Sequence, residues 1–243
     1  MTSPTPLAPA DADLVIFDCD GVLVDSERLT AVVEARMLTE MGWPMTQEEL
    51  VRRFMGATSA AMLAEVERHL GPERTREFDE RSTAEVHASF ESDLRAVPGV
   101  RELAEALIAA GTLTCVASSG SHAKMRKTLG LTGLWELFDG RIFSADEVEH
   151  GKPAPDLFLY AATRLGVEPH RCVVVEDSAF GVRAARAAGM TAYGFGGGLT
   201  PHAELAEAGA IVFDQMRDLM PDQDAPVPTV SVAVRSSRGG RTR

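Results

Sequence analysis

The chain alternates short, nearly continuous apolar runs with longer stretches whose apolar positions recur every three or four residues. The runs are "DLVIFD" (13–18), "TLTCVAS" (112–118), "GRIFS" (140–144), "CVVVED" (172–177), "MTAYGF" (190–195) and "AIVFD" (210–214). Most are too apolar for a sheet with one wet face, so they predict parallel strands covered on both sides. Helical patterns separate the later runs. "PGVRELAEALIAAG" sets Val100, Leu103, Ala104, Leu107 and Ile108 on one face and stops at Gly111. "PAPDLFLYAATRLG" and "SAFGVRAARAAG" stop likewise at Gly166 and Gly189. This alternation predicts an α/β fold with a doubly wound parallel sheet, whose ligand sits beyond the carboxyl ends of the strands.

After the first run the period changes. From Asp25 to about Ala96 the pattern is helical throughout. Leu29, Val32, Val33 and Met37 share a face, Thr46 and Glu49 have capping-box spacing, a run from Ser59 to Leu70 is closed by Gly71, and a charged helix spans about Glu73 to Phe90. The expected organisation is a core of residues 13–24 plus 97–220 and a helical cap domain of 25–96 inserted over the site. Residues 1–12 and 221–243 read as flexible ends, although "TVSVAV" in the second has the composition of a short edge strand.

Composition narrows the function. A formal charge of −12 in 243 residues argues against nucleic acid as a partner and for a small molecule. Cys19, Cys115 and Cys172 form no metal-binding spacing and read as buried thiols. With no apolar run of spanning length and no basic-then-apolar leader pattern, no membrane is expected and the cytoplasm is the expected location.

The chemistry gathers at the ends of the apolar runs. Asp18 and Asp20 lie two apart on an extended segment, so both address one crevice, and Gly21 permits the turn that follows. "VASSG" places Ser118 and Ser119 before Gly120 and a helix start, and "VVVEDS" places Glu176 and Asp177 before Ser178 and another. Helix starts offer amides to anions, and clustered carboxylates suit a hard cation such as Mg²⁺. Lys152 in "HGKPAPDLF" lies between the two motifs in the chain. Each residue alone has an ordinary reading as a cap or turn, and Asp25, the third aspartate of the first motif, reads as the cap that anchors the first inserted helix. Together they describe a phosphoryl site. His122, two residues past "SSG", is a candidate substrate contact, and Arg53 is raised above the other cap arginines because "RRFMGATS" carries a Gly56 loop.

"DCDGVLVDSE", "VASSGS", "GKPAPDLF" and "VVVEDSAFGVRAARAAG" together resemble the four ordered motifs of the haloacid dehalogenase superfamily, in its branch with a helical cap after the first strand. The likeness runs from about residue 13 to 220. It implies a Rossmann-like core with Asp18 as nucleophile, Asp20 as general acid and base, Ser118 as the phosphate-binding hydroxyl and Lys152 as the charge-neutralising lysine. It further implies Mg²⁺ held by Asp18, Asp177 and the Asp20 carbonyl, with Glu176 nearby through water. The implied reaction is hydrolysis of a small phosphorylated metabolite through an aspartyl-phosphate. Ser119, Gly120, Lys124 and His122 are expected to contact the substrate of a monomer or homodimer. Sugar-phosphate and 6-phosphogluconate phosphatases are the nearer likeness. A β-phosphoglucomutase-like enzyme is the rival, weakened because Thr30 and Ser59 stand where those mutases carry a histidine and an arginine. A non-catalytic binder of the same ligands is the alternative from another class.

Overall fold

The computed structural model describes residues 6–54 and 59–221. All six apolar runs are strands: β1 (Leu14–Phe17), β2 (Leu113–Ser118), β3 (Ile142–Ser144), β4 (Cys172–Glu176), β5 (Thr191–Phe195) and β6 (Ile211–Phe213). They form one parallel sheet in the order β3-β2-β1-β4-β5-β6. β1 is central, with Leu14 level with Leu113 on one side and Cys172 on the other. The chain therefore winds outward in both directions from β1, and the crevice at its carboxyl end is the expected ligand position.

Alternation decides which side chains fill which layer. Val15, Phe17, Val116, Val173 and Val175 face one side, while Leu14, Ile16, Cys115, Ala117 and Val174 face the other. The first set packs against α5 (Val100–Ala109) and α6 (His122–Leu131), with Phe17 edge-on to Phe138 of the short α7 (Trp135–Phe138). The second is covered by α8 (Asp156–Leu165) and α9 (Ala179–Ala187), with Leu205 of α10 (His202–Ala208) at its edge. Ile108, expected on the apolar face of α5, is 39% exposed, whereas Val100, Leu103, Ala104 and Leu107 are fully buried.

The chain leaves the sheet at Val24 and returns at Ala96, and these two crossings pair as an antiparallel bridge. The Asp25 amide donates to the Arg95 carbonyl and the Val97 amide to the Leu23 carbonyl, both at 3.0 Å. Between them lie α1 (Ser26–Glu40), α2 (Gln47–Phe54), α3 (Ser59–Leu70) and α4 (Pro72–Asp93). Thr75, Phe78, Ser82, Val86 and Phe90 bury one stripe of α4 at spacings of three and four, and α1 packs along that helix. The Glu49 amide donates to Thr46 Oγ1 at 3.1 Å, capping α2.

Three expectations need correction. Val32 is 50% exposed, because α1 turns Ala31, Val33, Ala35, Met37 and Leu38 inward instead. Asp25 stands at the N-cap of α1 without capping it; its carboxylate pairs with Arg28 at 3.3 Å. Residues 6–12 are not a loose lead-in: Pro9 and Ala12 are buried and Leu7 packs on the core. "TVSVAV" and Gly56 lie outside the described residues.

Candidate active site

β1 ends at Phe17, and the Asp18 amide extends its ladder by donating to the Val175 carbonyl at 2.9 Å. Asp18 is thereby held at the mouth of the sheet and is buried. The next side chain, Cys19, is buried, with its sulfur 3.9 Å from Thr128 Oγ1. Gly21 adopts φ +79°, and a Cβ there would overlap the Asp177 carboxylate, so the turn requires glycine on two counts.

Lys152 reaches the same mouth from the loop before α8. Its Nζ donates to Asp18 Oδ1 at 2.5 Å, Glu176 Oε1 at 2.7 Å and the Ala117 carbonyl at 3.1 Å, with the side chain only 5% exposed. Glu176 Oε2 accepts the Ser178 amide and hydroxyl, both at 2.8 Å. Both Glu176 oxygens are thus committed, and Glu176 braces Lys152 from behind. Gly181 makes room for it, because a Cβ at that position would overlap the Glu176 carboxylate. Asp20 is gripped from two sides: Ser26 Oγ donates to Oδ1 at 2.5 Å and Lys124 Nζ to Oδ2 at 2.8 Å.

Electrostatics at this mouth are unbalanced. Asp18, Asp20, Glu27, Glu176 and Asp177 crowd around two ammonium groups, Lys152 and Lys124. Burial, reinforced by Glu176 and Asp20, pushes the Asp18 carboxyl up to about 8 against the pull of Lys152. Burial also pushes Asp177 up, with Glu27, Glu176 and Asp18 adding to it. Glu27 rises to about 7, again chiefly by burial, although its contact with Asp177 lowers it. Burial alone would lower Lys152, but Asp18 and Glu176 outweigh it and hold the ammonium charged.

Glu27 Oε2 and Asp177 Oδ2 are both buried without a hydrogen-bond partner. Unpaired acceptors in a cluster short of positive charge fit a hard divalent cation. Among the described residues no three His, Cys, Asp or Glu side chains form a ready-made metal cage. Asp18, Asp177 and the Asp20 backbone carbonyl are the groups that would hold such a cation.

Ser118 closes β2 and is buried, its Oγ accepting the Gly120 amide at 3.1 Å. Gly120 faces Asp20: a Cβ there would lie 3.6 Å from Asp20 Oδ2. Ser119 is exposed at the same loop. The loop is pinned by Ser144 of β3, whose Oγ donates to the Gly120 carbonyl at 2.8 Å, while Ser121 caps α6. The structure thus brings Asp18, Asp20, Ser118, Gly120, Lys124, Lys152, Glu176 and Asp177 to one mouth.

Two candidates are engaged elsewhere. His122 Nε2 lies 2.9 Å from Glu147, which also accepts the Ser144 amide, so His122 serves the loop's bracing. The Arg53 guanidinium lies over the Trp43 ring and 3.6 Å from Glu65, within the cap. Sequence reasoning assigned no role to Ser26, Glu27 or Ser144. Ser26 and Glu27 follow Asp25 directly in the first motif, and their place in the first turn of a helix that starts at the crevice was the available signal.

Comparison with known proteins agrees with this geometry. Residues 15–195 match the family described as haloacid dehalogenase-like hydrolase. A 6-phosphogluconate phosphatase of Escherichia coli (strain K12) is 32% identical over 184 residues, covering 75% of this chain and 82% of the relative. A phosphorylated carbohydrates phosphatase of Thermotoga maritima is 34% identical over 210 residues, covering 86% and 96%. A haloacid dehalogenase family hydrolase from Deinococcus radiodurans, solved with bound phosphate and sodium, superposes with a TM-score of 0.76 at 33% identity, covering 86% of this chain and 94% of that one. The chain belongs to the haloacid dehalogenase-like hydrolase family, as one of its phosphatases.

Proposed function

We propose that the protein is a Mg²⁺-dependent phosphomonoesterase that hydrolyses a small phosphorylated carbohydrate through an aspartyl-phosphate on Asp18. The observation that carries this reading is the division of labour between two carboxylates one residue apart. Asp18 is buried with its oxygen on Lys152, while Asp20 is held by Ser26 and Lys124 on the side of the inserted helices. Asp18 attacks phosphorus and the leaving oxygen departs with a proton from Asp20. Water then attacks the aspartyl-phosphate with Asp20 accepting its proton. Bound between Asp18, Asp177 and the Asp20 carbonyl, Mg²⁺ would neutralise charge on the transferring group. Lys152, Ser118 and the amides at Ser119 and Gly120 stabilise the same charge from the protein side. The helices of residues 25–96 close over the mouth and exclude water, and the site works in the cytoplasm on metabolites.

Thr30 argues against mutase chemistry. It occupies the position expected of a mutase histidine, and its hydroxyl is spent on the Ser26 carbonyl at 3.0 Å. The test is phosphate release from a panel of sugar, polyol and sugar-acid phosphates, by wild type and Asp18→Asn, with Mg²⁺ or with chelator. Metal-dependent release by wild type alone is the expected result. Conversion of glucose 1-phosphate to glucose 6-phosphate without net release would establish the mutase instead, and binding without turnover would establish the non-catalytic binder.

A further inference from the structure

On α1, Glu27, Thr30 and Glu34 follow one another at spacings of three and four, so they form a polar stripe on a helix that otherwise turns small and apolar residues inward. The stripe starts beside Asp177 and runs away from the sheet. Its far end, Thr30 and Glu34, lines a half-open cavity of about 370 Å³ between α1, α3 and α4, with Lys124 of α6 also lining it. That volume suits a small metabolite, since ligand pockets run from about 300 to 1,000 Å³. Lys124 both lines the cavity and donates to Asp20 at 2.8 Å, so the cavity adjoins the acid of the proposed reaction.

The lining is polar in a particular way. Thr30, Ser82 and Thr83 line it as small polar residues, and Phe78 and Phe90 as apolar ones. The charged and titratable groups facing Glu34 are Asp79 and His87 from α4 and Lys124 from α6. Lys124 is already paired with Asp20 at 2.8 Å. No cation or hydrogen-bond donor reaches the Glu34 carboxylate among the described residues, and the four residues 55–58 include no basic side chain. Burial alone raises this carboxyl to about 7. A half-buried acceptor without a protein donor, at the wall of a cavity beside the reacting carboxylates, takes its hydrogen bonds from what enters the cavity.

We propose that Glu34 is the specificity-determining residue of the leaving-group cavity: it accepts hydrogen bonds from the hydroxyls of an uncharged polyol or sugar phosphate and rejects analogues that end in a carboxylate. This rests on the reading of the mouth as a phosphomonoesterase site and goes further, because it excludes sugar acids as the preferred substrates. A carboxylate entering the cavity would meet Glu34 and Asp79 with the lysine already engaged, and like-charge juxtaposition disfavours that ligand.

The test compares two six-carbon phosphates that differ at the end far from phosphorus, glucitol 6-phosphate and 6-phosphogluconate, in wild type, Glu34→Gln and Glu34→Lys. The readout is the ratio of kcat/KM for the two substrates within each protein, so a general loss of activity cancels, and thermal melting checks folding. Wild type is expected to favour the hexitol phosphate by about tenfold or more, Glu34→Gln to shrink that ratio by about tenfold, and Glu34→Lys to invert it. A wild-type preference for the sugar acid, or a ratio that Glu34→Gln leaves within about twofold, would overturn the proposal. If wild type releases phosphate from neither, the phosphatase reading is left to the wider panel above. The ratio is then taken from calorimetric Kd values for the two ligands. Tighter binding of the hexitol phosphate that Glu34→Gln abolishes would support the role of Glu34, and equal or reversed affinities in wild type would overturn it.

Discussion

The sheet mouth and the cavity above it treat their carboxylates in opposite ways. At the mouth, Asp18, Asp20 and Glu176 each have named donors, and Lys152 alone joins two of them through a side chain that is almost wholly buried. In the cavity, Glu34 has no donor from the described residues. A reaction common to many substrates needs groups fixed in advance, because preorganised charge does most of the catalytic work. Recognition of one leaving group needs acceptors left open for it. The reacting carboxylates of the mouth are therefore held by contacts within the protein, with the Glu27 and Asp177 oxygens left open to a cation, whereas the cavity leaves its acceptor open to the substrate.

The largest effect should come from the mouth. Asp20→Asn removes the proton donor while keeping the acceptor for Lys124, and kcat for phosphate release is expected to fall about 10²–10⁴-fold. Retention of wild-type turnover would remove Asp20 from the mechanism. Next is Lys152→Met, which leaves Asp18 and Glu176 buried without their cation. Chemical denaturation should show a loss of about 3–5 kcal/mol, and an unchanged midpoint would mean that the pair contributes little to the fold. Gly181→Ala drives a Cβ into Glu176, the brace behind Lys152. A smaller loss of about 1–3 kcal/mol is expected, together with lower kcat.

The smallest effect belongs to the cavity and has a pH signature. Burial raises Glu34 from 4.5 to about 7, so between those values the folded state holds a proton that the unfolded chain has released. Stability from this group therefore falls as pH rises through that window and is level above it. Glu34→Gln lacks the decline. Melting curves should coincide near pH 4.5 and separate by about 1 kcal/mol in favour of the variant near pH 8, a figure kept small because the cavity is open to solvent. Equal separation at both pH values would show that Glu34 is paired after all.

The same contrast explains what could be read in the sequence. The six strands were visible because most are apolar runs too continuous for a sheet with one wet face, and the shared carboxyl ends of parallel strands placed Asp18, Ser118 and Asp177 at one edge. Lys152 was visible through the "GKPAPDLF" motif. Ser144 was not, because it reads as the last residue of a short strand and reaches the site through the Gly120 carbonyl, a pairing set by the β2–β3 register. The pairings of His122 with Glu147 and of Arg53 with Trp43 and Glu65 were not visible either, because these partners are distant in the chain or set by tertiary packing. On α1 the apolar periodicity drew attention to Val32, which is exposed, and away from the interleaved stripe of Glu27, Thr30 and Glu34. A polar stripe on a half-apolar helix looks like a solvated face until a second layer of helices is known to cover it.

The central claim is that Asp18 carries the phosphoryl group. Acid-quenched turnover followed by mass spectrometry of the peptides tests it directly. The expected result is one added phosphoryl group on the peptide containing Asp18, present only during turnover and absent from Asp18→Asn. Turnover with no phosphorylated peptide, or with the group on any other residue, would contradict it.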